Sequence, residues 1–127
     1  TEHHSLALYP VGLRSELGLR ADTSCMSFGV QLATYRQLRN AVGFLREKGC
    51  AVRELDPALF PGMGHQALVL DPDGHAIQLY HYMEQIGWDG QPRPAHLRPE
   101  IRVNEWPETV ATEPDSFGGE VFLGPWG

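Results

Sequence analysis

Two strand-like runs, HQALVL at residues 65–70 and AIQLYHYM at 76–83, stand on either side of Asp71-Pro72-Asp73-Gly74. Proline presets φ for the first turn position, and glycine supplies the positive φ that closes the turn. The spacing therefore predicts a β-hairpin over 65–83. An isolated hairpin is marginally stable in water. The rest of the chain must supply further strands and something to cover them.

The preceding residues supply both. In SCMSFGVQL, residues 24–32, Met26, Phe28, Val30 and Leu32 alternate with Cys25, Ser27, Gly29 and Gln31, the period of a strand. A helix follows, with Thr34 as N-cap and Gln37 completing a capping box. Tyr35, Leu38, Val42 and Leu45 form its apolar stripe, and Gly49 ends it behind Lys48. AVREL at 51–55 reads as a short strand. The loop DPALFPGMG, with two prolines and two glycines, leads into the hairpin. The order over 24–83 is β-α-β-β-β.

Upstream, HHSLALY at 3–9 reads as one more strand, ended by Pro10 and Gly12. Residues 11–23 read as a connector in which Leu13, Leu17 and Leu19 make a short helical turn. From Gly87 the chain becomes rich in Pro and Gly, then polar, punctuated by Trp106, Phe117, Phe122 and Trp126. We expect an irregular arm that packs across the domain or onto a partner. The fold class is α+β, divided into residues 1–23, 24–86 and 87–127.

Composition narrows the function classes. The 127 residues carry a formal charge of −6, which argues against a nucleic-acid surface and against an anionic membrane. No apolar run approaches the length of a spanning helix. The opening TEHH is polar, so no secretory leader is expected; the missing initiator Met suggests processing, trimming or a fragment. Cys25 and Cys50 are too few for a disulfide framework and lack a CxxC spacing. We expect buried thiols in a reducing cytoplasm.

The β-α-β-β-β order, the capped helix and the DPDG turn before the last strand together resemble the vicinal oxygen chelate superfamily: glyoxalase I, bleomycin-resistance proteins and extradiol dioxygenases. Glu2-His3-His4-Ser5-Leu6-Ala7 looks like the His-His-Ser/Thr strand that closes one module of an extradiol dioxygenase before the next begins. The EQIGWDG and FLGPWG segments look like the C-terminal region of such proteins. The resemblance implies a half-barrel module over 24–86, preceded by the last strand of another.

It also implies a site. Extradiol members hold Fe(II), sometimes Mn(II), with two His and one Glu, leaving positions open for catechol and oxygen. Aligning LATYRQL with the start of the family's helix places the second His position on Ser27, or on Met26 or Cys25 if the register shifts. The Glu position, four residues after the turn glycine, falls on Gln78. A neutral amide is a poorer ligand for a divalent ion than a carboxylate, although Gln does ligate metal in some glyoxalase-like proteins. His4 matches the family histidine that acts as acid–base beside the bound ring, a role suited to an imidazole. Tyr80 and Tyr82 share the Gln78 face and, with Ser27, make a candidate ligand pocket. His65, His75 and His81 are expected not to converge, because His81 points away from Gln78 and His75 follows the turn.

The expected function is a glyoxalase/dioxygenase-like protein with no iron-dependent ring cleavage by this chain alone. Its pocket would take an aromatic or small hydrophobic molecule. No resident cofactor is expected; one held in the ancestral way would be Fe(II) or Mn(II). Two alternatives remain at this stage: an active extradiol dioxygenase completed by another chain, and a metal-free module of the bleomycin-resistance type. Exposed edges of a half-barrel invite pairing, so a homodimer or a second module is expected.

Overall fold

The computed structural model describes residues 8–23, 25–84, 90–92, 96 and 98–111. The N-terminal strand expected at 3–9, with His3 and His4, lies outside them except at its last two residues, which are not strand. The distal arm with Phe117, Phe122 and Trp126 lies outside them as well. The elements run α1 (Val11–Glu16), β1 (Phe28–Gln31), α2 (Tyr35–Glu47), β2 (Val52–Leu55), a 3-10 turn (Pro57–Leu59), β3 (Gln66–Leu70) and β4 (Ala76–Tyr80). This is a mixed α+β fold around one four-stranded sheet of order β1-β4-β3-β2.

The hairpin is built by its turn. Gly74 adopts φ +84°, and its N–H donates to the Asp71 carbonyl at 2.9 Å. The Asp71 carboxylate accepts the N–H groups of Asp73 at 3.0 Å and His75 at 2.7 Å, an Asx arrangement that fixes the register. β3 and β4 then pair from Leu70↔Ala76 to Gln66↔Tyr80. An isolated bridge, Met63↔Met83, continues the pairing beyond the ladder. β1 joins β4 in parallel, with Gly29 opposite Gln78. It begins at Phe28, four residues later than its alternation suggests.

α2 forms because its ends are satisfied and one stripe is apolar. The Thr34 side chain accepts the Gln37 N–H at 3.1 Å. Gln37 Oε1 reaches back to the Ala33 N–H at 3.0 Å, one residue beyond the Thr34 N–H that a capping box would use. At the other end Gly49 donates to Arg46 and Cys50 to Leu45, both at 2.9 Å, a Schellman closure. Tyr35, Leu38 and Val42 are buried against Ala67, Val69 and Leu79 of the sheet. Burying a side chain such as Leu38 stabilises the fold by about 1.5–3 kcal/mol.

The opposite sheet face carries Leu68 and Ala76, covered by Leu13 and Leu17 from the α1 region and by Phe60 and Met63 from the loop after β2. The sheet is therefore sandwiched, and the Gln78 side is the α1 side. Residues 104–107 cross the end of the sheet. There the Asn104 N–H donates to Asp56 at 3.2 Å, the Trp106 indole N–H to the Leu55 carbonyl at 3.2 Å, and the Tyr35 hydroxyl to the Pro107 carbonyl.

Cys25 is exposed and Cys50 half-buried, a correction to the expectation of two buried thiols. Cys25 precedes the start of β1, beyond the reach of the ladder that would have enclosed it. Among the described residues no helix is long and apolar enough to cross a membrane.

Candidate functional site

The sheet register sets Ser27, Gln78 and Gln66 on one face. Leu68 pairs directly with Gln78, and Gln66 lies one pleat along, opposite Tyr80. The Ser27 hydroxyl donates to Gln78 Oε1 at 3.2 Å, and Gln78 Nε2 donates to Gln66 Oε1. This contact selects Ser27, rather than Met26 or Cys25, as the residue that meets Gln78. Gln66 is fully buried and Gln78 nearly so. Their hydrogen bonds answer the cost of burying polar atoms. Gln66 Nε2 has no hydrogen-bond partner among the described residues.

The donor set does not fit the Fe(II) or Mn(II) centre that the family resemblance implies. Three neutral groups bonded to one another supply neither the imidazole nor the carboxylate such ions require. Among the described residues, one group of three His, Cys, Asp or Glu side chains lies close enough to share a cation: Asp71, Asp73 and His75. That group sits in the turn, where Asp71 already accepts from its neighbours and contacts His75 Nδ1 at 3.1 Å. His4, the acid–base residue suggested by the resemblance, lies outside the described residues.

Two histidines come together, against the sequence expectation. Continuing the β3–β4 register by one residue sets His65 opposite His81. Both rings lie on the α2 side of the sheet, 6.2 Å apart and stacked, with the Tyr35 ring tilted against His65 at 4.9 Å and edge-on to His81 at 5.4 Å. His65 is fully buried and His81 is 2% exposed. His65 Nε2–H donates to the Glu105 carbonyl at 3.0 Å, and His81 Nδ1–H to the His65 carbonyl at 3.3 Å. Those bonds fix the tautomers and leave His65 Nδ1 and His81 Nε2 as acceptors with no hydrogen-bond partner among the described residues. Gly64 admits the His81 ring, since a Cβ there would lie 2.7 Å from His81 Cε1. Burial pushes the His81 imidazole down to about 4 and holds His65 below its usual range. Both rings are neutral at physiological pH. They join the sheet to the crossing segment, since Trp106 packs edge-on against His65 with ring centroids 5.6 Å apart.

Two cavities flank the sheet. The larger, of about 760 Å³, opens between α1 and the loop after β2 and is walled by Leu13, Leu59, Phe60, Met63 and Met83. Leu13, Phe60 and Met63 also belong to the core cluster on the Gln78 side. The smaller, of about 350 Å³, is lined by Arg20, Asp22, Cys25, Ser27 and His75. Ser27 thus lines a cavity, whereas Tyr80 and Tyr82 line neither of these two. The Tyr80 ring lies over Gly29, 3.2 Å from where a Cβ would stand, and burial raises its phenol above the usual range. Tyr82 is buried past the end of β4, and its carbonyl accepts the Gly64 N–H at 3.0 Å. The cavity was missed in the sequence because its walls come from 9–16, 59–63 and 83–84, which share no periodicity. The clustering of Phe60, Met63 and Met83 with turn residues was the available signal.

Searches of protein-family models and of curated proteins found no match to this chain.

Proposed function

We propose that this chain is a metal-independent binding module of the vicinal oxygen chelate type that holds an aromatic or small hydrophobic molecule on the Gln78 side of its sheet. The observation that carries the reading is the cavity of about 760 Å³ with largely apolar walls on that side. Its size falls within the roughly 300–1,000 Å³ usual for small-molecule sites. The strand order β1-β4-β3-β2 with α2 between the two parallel edge strands is compatible with a half-barrel module. The chain of Ser27, Gln78 and Gln66 supports the absence of iron chemistry, because it places neutral, mutually bonded groups where the resemblance calls for an anionic ligand.

Association supports completion of the module. Among the described residues β1 is an edge strand whose Phe28 and Val30 are 59% and 45% exposed, and a second copy pairing there would reduce that exposure. The two free thiols suit a reducing compartment such as the cytoplasm.

The test combines elemental analysis of protein purified without chelator with thermal shift against neutral aromatics. A rise in melting temperature with ligand, and no stoichiometric iron or manganese, is the expected result. About one iron per chain with turnover of a catechol would replace this reading by the dioxygenase one. No response to any aromatic would remove the ligand site.

A further inference from the structure

The walls of the larger cavity dictate more than apolarity. Among the described lining residues Tyr9 is the one with a side-chain hydrogen-bond donor, and that hydroxyl donates to Met63 Sδ at 3.4 Å. The charged side chains among the described lining residues are Glu16 and Glu84. Glu84 is 3.1 Å from Arg98, whose guanidinium offsets its charge. Glu16 is exposed, and no ion pair holds it among the described residues. An anionic ligand would meet carboxylates and, among the described lining residues, no cation. A protonated amine would meet Glu16, together with the edge-to-face pair of Tyr9 and Phe60, whose centroids are 5.4 Å apart. Aromatic faces and a carboxylate both favour a cation. The two methionines, unbranched and polarizable, adapt to an apolar body of varied shape.

We propose that the ligand class of this cavity is a hydrophobic amine, its apolar body held by Phe60, Met63 and Met83 and its ammonium group by Glu16 at the rim. This inference rests on the cavity being the ligand site.

The test is calorimetric titration of the full chain at neutral pH with three probes of one body and different heads: naphthylmethylamine, naphthylmethanol and naphthylacetate. The amine is expected to bind about tenfold more tightly than the alcohol, the sum of a rim charge contact and a cation–π contact, and the acetate more weakly than either. Glu16→Gln, at an exposed position, is expected to remove most of the amine's advantage and leave the alcohol unchanged. Met83→Trp, checked for folding by circular dichroism, is expected to abolish binding of both by filling the cavity. Equal affinity for amine and alcohol, or tighter binding of the acetate, overturns the amine inference while the apolar site stands. Binding of none of the three overturns both. Amine binding unchanged in folded Met83→Trp places the site elsewhere and overturns the proposal.

Discussion

At the scale of single residues, the site on the α1 side turns on how three neutral groups share their hydrogen bonds. Gln78 uses both ends of its amide, accepting from Ser27 and donating to Gln66. Gln78→Leu strands the Ser27 hydroxyl and the buried Gln66 amide together, and we expect a loss of about 1–3 kcal/mol in urea unfolding. Gln66→Leu alone should cost a similar amount. The double variant removes the partner as well as the orphan, so its loss should fall below the sum of the two by at least about 0.5 kcal/mol. Strict additivity would mean the two amides do not act as a unit. That Ser27 stands near Gln78 was implied by the family resemblance, which left Met26 or Cys25 open; the turn glycine and strand parity alone do not say that β1 lies beside β4. The meeting of His65 with His81 was legible in principle, since the DPDG turn fixes which residues oppose. It was missed because the alternation of β4 was followed without carrying the pairing back past Gln66.

At the scale of elements, those with local causes were readable and those with distant ones were not. α2 follows from Thr34, an apolar stripe and Gly49; the hairpin follows from its turn. The alternation through 24–27 overextends β1: its ladder starts at Phe28↔Ile77, and the register carried back past Ser27 runs off β4 into the turn at Gly74 and His75. The crossing segment carries no strand or helix pattern, so only its tryptophan hinted at packing. Its hold on the domain is concentrated at Trp106, which joins the α2-side core, donates to Leu55 and lies 5.9 Å below the Arg39 guanidinium. Trp106 is only partly buried, so Trp106→Ala should cost about 1–3 kcal/mol, less than the loss of a core aromatic. Amide exchange should rise at Asn104 and in the β2 residues it covers before it rises in α2. Uniform acceleration across the chain would show instead that the segment unfolds only with the whole domain.

For the whole molecule, the buried imidazoles set a pH dependence with a definite sign. His81 has a folded pKa of about 4 against an ordinary value of 6.5, and His65 is shifted the same way by burial, more than the nearby Glu105 carbonyl restores. Asp56 pulls His65 up and Arg39 pushes it down, both less than burial does. A group whose folded pKa is depressed takes up its proton more readily when unfolded. Stability is then fully present above pH 6.5 and lost as the pH falls through that window toward 4. His81 alone accounts for about 3 kcal/mol across it, a large share of the roughly 5–15 kcal/mol typical of a domain. The carboxylates act in the same direction at lower pH. The His75 N–H holds Asp71 below its usual range, and the Ala111 N–H does the same for Glu100. Urea midpoints measured from neutral pH down to pH 4 should fall steadily. In His81→Phe the ring volume is kept and the titrating nitrogen removed, so the fall between 6.5 and 4 should shrink to what His65 and the carboxylates supply. The variant should also start about 1 kcal/mol lower at neutral pH, having lost the bond to the His65 carbonyl. If the wild-type slope survives that substitution, the acid sensitivity belongs to other groups, and the histidine pair only fills space between α2 and the sheet.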